Sequence, residues 1–146
     1  MLIAITRADG GVSIQGHADG TEAEIVAHHI EAWKSAHPGE YVSHRPISGV
    51  LPTDKIFRDA WADDGADVGV DMPRARTMHM ARIREARNKA LTAKDAEIAI
   101  AEDGGAGPAA RLRVERQALR DLPATVDLDR AATPEALMAI WPAELG

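Results

Sequence analysis

The sequence contains no cysteine, which excludes disulfides and thiolate metal sites. Aromatic residues are also scarce, at 3% of 146 residues. Hydrophobic residues reach 45%, but much of that share is alanine, which buries little area per residue. A core must therefore rest on scattered Ile, Leu, Val and Met, with Trp33, Trp61 and Trp141 as the large pieces. Thin packing is expected, along with a need for a partner or a second copy. No long apolar run is present. The stretch Met1-Leu2-Ile3-Ala4-Ile5-Thr6 soon meets Arg7 and Asp9, too short for a signal peptide or a membrane span. The chain is thus expected to stay in the cytoplasm in which it is made. Positive charge is in deficit: the net charge is -6 and the pI about 5.5. An acidic chain is repelled by backbone phosphates, which argues against general nucleic-acid binding.

What is present divides into three regions. In residues 1–50, Leu2, Ile3 and Ile5 form a β-prone run, Asp9-Gly10-Gly11 a hairpin turn and Val12-Ser13-Ile14 the returning strand. Thr21 and Glu24 have the spacing of a capping box. Ile25, Val26, His29, Ile30 and Trp33 follow at helical spacing, and His37-Pro38-Gly39 stops that helix. Tyr41 to His44 reads as a third strand ended by Pro46. Residues 51–70 read as a connector. It has a turn and cap at Leu51-Pro52-Thr53-Asp54 and a short helix carrying Ile56, Phe57, Ala60 and Trp61. Asp63-Asp64-Gly65 ends that helix, and Val68-Gly69-Val70 could be a short strand.

Residues 71–146 read as helical. Asp71 can cap a helix and Pro73 is tolerated in its first turn. No glycine or proline then intervenes before Gly104, giving roughly thirty residues and about 45 Å of helix. Met72, Met80, Ile83, Ala86, Ala90, Leu91, Ile98 and Ala101 lie near one stripe. Gly104-Gly105-Ala106-Gly107-Pro108 breaks it. A second helix with Leu112, Leu119 and Leu122 runs to Pro123, completing an antiparallel hairpin. Thr133-Pro134 starts a short last helix that ends at Trp141-Pro142. The expected fold class is α+β: a small N-terminal β-rich module (strand-strand-helix-strand), then a long antiparallel helical hairpin and a short C-terminal helix.

Signatures of catalysis are absent from the sequence. His17, His28, His29, His37, His44 and His79 show no metal-ligand spacing, and adjacent His28 and His29 point about 100° apart on a helix. There is no nucleophile elbow and no Walker-type loop. The glycine-rich break follows a helix and lacks the phosphate-binding lysine, so it reads as a turn. Asp63, Asp64 and Asp67 lack the pattern of a calcium loop and read as a solvated turn. No enzyme activity, cofactor or metal is expected.

Charge is segregated along the helical region. From Asp71 to Lys94 stand Arg74, Arg76, Arg82, Arg84, Arg87, Lys89 and Lys94 against Asp71 and Glu85. Four acids and no base follow, from Asp95 to Asp103, and then Arg111, Arg113, Arg116 and Arg120 against Glu115. Such a patch could touch nucleic acid, which makes a small nucleic-acid-binding or regulatory protein the alternative reading. It lacks interleaved aromatics and a DNA-binding motif, and a solvated face or an acidic protein partner is favoured. The second helix is about half the length of the first, so part of the apolar stripe should stay uncovered, as in a surface that meets another chain.

Four stretches carry a resemblance. They are Phe57-Arg58-Asp59-Ala60-Trp61, then Val70 to Arg76 running into Met80-Ala81-Arg82-Ile83-Arg84, then Arg116 to Pro123, and last Thr133 to Leu137 with Ile140-Trp141-Pro142. Over roughly residues 57–142 the chain resembles small tail-associated and tail fibre assembly proteins of tailed bacteriophages. The resemblance implies a virion tail component or a fibre chaperone, made in the host cytoplasm, present in several copies and bound to other tail or fibre proteins. It carries over no catalytic residue. The positions expected to pack or dock are Trp61, Met72, Met80, Ile83, Leu91, Arg116, Leu119, Leu122 and Trp141.

Overall fold

The computed structural model describes residues 1–16, 20–104 and 107–146. His17 and the Gly105-Ala106 centre of the glycine-rich break lie outside the described residues. The fold is α+β, and the chain divides into two compact units, Met1–Met72 and Pro73–Gly146.

The first unit is built on a three-stranded antiparallel sheet in the order β2-β1-β3, with β1 Leu2–Arg7, β2 Val12–Gly16 and β3 Tyr41–Ile47. The β1–β2 turn is closed from both sides: Arg7 and Gly11 pair through their backbones at 2.8 Å, and the Asp9 carboxylate accepts the Gly11 N–H at 2.8 Å. Gly10 takes the left-handed conformation this turn requires, at φ 79°. Thr21 and Glu24 form the capping box, each side chain accepting the other's backbone N–H. The helical stretch behind it comprises α1 Glu22–Ile25, a π-helical segment Val26–Ile30 and α2 Glu31–Ala36. Pro46 does not end β3, which continues to Ile47. β3 bonds only to β1, and proline is tolerated on such an edge strand.

Alternation along β1 gives the unit two cores. Ile3 and Ile5 point to one face, where they meet Ile25, Ile30 and Trp33. Ala4 points to the other and packs with Val12, Trp61 and Val68. Each fully buried isoleucine contributes about 1.5–3 kcal/mol. The second core comes from residues expected as a connector. They hold no α-helix. Arg58–Ala60 is a single 3-10 turn, and Trp61 opens a strand, β4 Trp61–Asp63, paired antiparallel with β5 Val68–Val70. Asp63-Asp64-Gly65 begins the turn of that hairpin. The Asp64 carboxylate accepts the Ala66 and Asp67 N–H groups at 2.8 Å, and Gly65 sits at φ 94°.

The second unit is helical. α3 spans Met72–Gly104, 33 residues and so about 50 Å. α4 spans Gly107–Thr125. Ion pairs Glu102–Arg113, Asp95–Arg116 and Lys94–Glu115 fix the two as antiparallel. Pro123 does not close α4, which runs two residues further to Thr125: its fixed φ suits a helix, although it removes one hydrogen bond. The Thr125 hydroxyl then donates to the Leu122 carbonyl at 2.9 Å. The chain returns along the first half of α3, where Arg76 donates to the Leu128 and Ala131 carbonyls at 3.2 and 2.8 Å. The short α5, Pro134–Met138, is capped by the Thr133 hydroxyl, which accepts the Ala136 N–H at 3.1 Å.

Candidate interaction surface

α3 changes character along its length. Its first half carries the fully buried Ala75, His79 and Ile83. His79 Nε2 lies 2.8 Å from the Ile140 carbonyl, which can only accept, so that nitrogen carries the proton. The His79 ring also meets the edge of Trp141, with centroids 6.0 Å apart. Met80 is half-buried. Residues 126–141 therefore lie against the first half of α3.

Beyond Ile83 no described apolar residue of α3 is fully buried. Ala86, Ala90, Leu91, Ile98 and Ala101 are half-covered, and Ile100 is 74% exposed. On α4, Val114 is 71% exposed. The polar pairing between the helices is dense by contrast. Lys94 donates to Glu97 at 2.7 Å and to Glu115 at 2.9 Å, which raises its pKa. Glu115 also accepts from Arg111, and its carboxyl is held below the usual range by Lys94 first and Arg111 second. The distal hairpin is thus zipped by charge and leaves apolar surface outside.

The positions expected to pack or dock separate into two groups. Trp61 belongs to the second core of the N-terminal unit, while Ile83, Leu119 and Leu122 are core residues of the helical unit, all below 6% exposed. In the folded chain these four serve packing and present no surface to a partner. Met72, Met80, Leu91 and Arg116 are half-buried, and Trp141 is 40% exposed. Ile100 and Val114 are missing from the expected set. The signal for Ile100 was present: Ile98 and Ile100 are two residues apart and cannot share a helix face.

Among the described residues of the helical unit are open grooves. One, of about 360 Å³, is bordered by Arg76, Arg84, Asp127 and Asp129, and another, of about 290 Å³, by Leu122, Arg130 and Trp141. The hydroxyls that line them, Thr77 and Thr125, donate to the Pro73 and Leu122 carbonyls at 3.1 and 2.9 Å. Among the described residues no three His, Asp or Glu side chains converge as metal ligands, and no helix is long and apolar enough to cross a membrane. No family model, curated protein or solved structure matches the chain.

Proposed function

We propose that the protein is a non-enzymatic component of a bacteriophage tail, a tail-associated structural protein or a tail fibre assembly factor. It acts by binding other proteins. The observation that carries this reading is the distal hairpin: a charge-zipped rod with Ile100 and Val114 exposed and the stripe from Ala86 to Ala101 half-covered. Apolar side chains held outward on a rigid element suit docking onto another chain. The resemblance of residues 57–142 to tail-associated proteins supplies the setting. Tails have rotational symmetry, so several copies per particle are expected. Deleting the gene from the phage genome tests the reading. Host lysis without infectious particles, with tails incomplete or fibreless by electron microscopy, is the expected result. Normal, infectious particles would overturn it.

A further inference from the structure

The groove of about 290 Å³ in the helical unit gathers both signs of charge around apolar side chains. Leu122 and Ile140 line it and are 3% and 9% exposed. Trp141 adds an aromatic ring that is 40% exposed. That ring is fixed from two sides. Its Nε1–H donates to the Gly146 carbonyl at 3.2 Å, and the ring meets that of the buried His79 with centroids 6.0 Å apart.

Asp127, Arg130 and Glu144 line the same groove. Opposite charges so placed commonly neutralise each other, yet Arg130 forms no ion pair with either carboxylate. Among the described residues the Arg130 and Glu144 side chains have no hydrogen-bond partner either. Asp127 accepts the Asp129 N–H at 2.9 Å through Oδ1, which orients the carboxylate and leaves Oδ2 open. The groove thus offers a planar cation, two anions and an exposed aromatic ring, none of the charges cancelled by another.

This combination selects a ligand by its chemistry. A phosphate would meet two carboxylates, and a simple cation would meet the arginine. A neutral molecule would shield three charges from water and pair none of them. A zwitterion supplies both signs at once. The volume stands at the small end of ligand sites, which suits a molecule of amino-acid size.

We propose that this groove binds a free α-amino acid with a large apolar or aromatic side chain. The ligand carboxylate accepts two parallel N–H groups of the Arg130 guanidinium, its ammonium donates to Asp127 and Glu144, and its side chain lies against Trp141 above Leu122 and Ile140. The groove is open and its charges are solvated, so the dissociation constant is on the order of 0.1–1 mM. The proposal goes beyond tail association and does not depend on it.

The test is isothermal titration calorimetry on the full chain, with L-phenylalanine as the probe. N-acetyl-L-phenylalanine lacks the ammonium and L-phenylalaninamide lacks the carboxylate. Each is expected to bind about fivefold or more weakly than the free amino acid, and glycine, which has no side chain to stack, weaker still. Arg130→Gln and Glu144→Gln change exposed side chains, so both variants should melt like wild type and bind L-phenylalanine about fivefold or more weakly. Absence of binding at about 10 mM L-phenylalanine, ten times the weakest expected constant, overturns the proposal. Equal binding of the free and capped forms overturns it too, because apolar contact alone would then account for the affinity. So does unchanged affinity in folded Arg130→Gln and Glu144→Gln, which would put the bound ligand elsewhere. The gene deletion tests membership of a tail separately and is indifferent to all of these results.

Discussion

Arg45 grips Asp63 with two nitrogens, Nε at 2.8 Å and a terminal nitrogen at 2.6 Å, and so ties strand β3 to strand β4. Asp63 also accepts the Gly65 N–H at 2.9 Å. Its side chain is only 8% exposed. The bidentate contact joins the main sheet to the small hairpin that covers its second face.

Arg45→Ala should therefore destabilise the N-terminal unit by about 2 kcal/mol, because it strands a largely buried carboxylate. The pH dependence has a definite sign. Hydrogen bonding to Arg45 holds the Asp63 carboxyl below its usual range. With the folded pKa below the unfolded value of about 3.9, the stabilisation is present above that value and is lost as pH falls through the folded one. Acid unfolding of wild type and of Asp63→Asn, followed by circular dichroism, checks this. The variant should lose less stability between neutral and acid pH. Parallel losses would show that the pair contributes nothing.

Ile83 and Ile100 lie on the same helix and should respond oppositely. Ile83 is fully buried, so Ile83→Ala should cost about 3 kcal/mol through lost burial and a cavity. Ile100 is 74% exposed, so Ile100→Ala should change stability by less than about 0.5 kcal/mol. Chemical denaturation of both variants measures the contrast. Equal costs would place the core boundary of α3 elsewhere.

His79 anchors the returning C-terminal segment. His79→Leu removes the donor to the Ile140 carbonyl and should cost about 1–3 kcal/mol. The segment would then detach more often, and trypsin should cut faster after the exposed Arg130. Unchanged cutting would mean that apolar packing alone holds the segment.

Ile100→Gln with Val114→Gln keeps helix-favouring, uncharged side chains at both exposed positions. The double variant should melt like wild type and fail to complement the gene deletion. Full complementation would remove the distal hairpin from the binding surface.

The elements legible in the sequence are those specified by neighbours in the chain. The Asp9-Gly10-Gly11 turn, the Thr21–Glu24 capping box and the uninterrupted run to Gly104 each carry a local cause, and each forms. Val68-Gly69-Val70 was legible as a short strand and forms β5, whereas its partner β4, three residues long and read as the end of a helix, exists because Trp61 is drawn onto Ala4 and Val12. Pro46 and Pro123 read as stops because the edge position of one and the terminal position of the other are tertiary facts. The surface was legible only in outline. An apolar stripe was visible, but the core role of His79 depends on residues 126–141 returning along α3, which no local pattern announces.

Association within a tail is the central claim, and quantitative mass spectrometry of purified, intact particles tests it most directly. Copy number would be measured against the major capsid protein. A structural component should appear in a reproducible multiple that fits tail symmetry, and an assembly factor should be confined to tail intermediates. Absence of the chain from both particles and tail intermediates, despite abundance in the infected cell, would contradict the account.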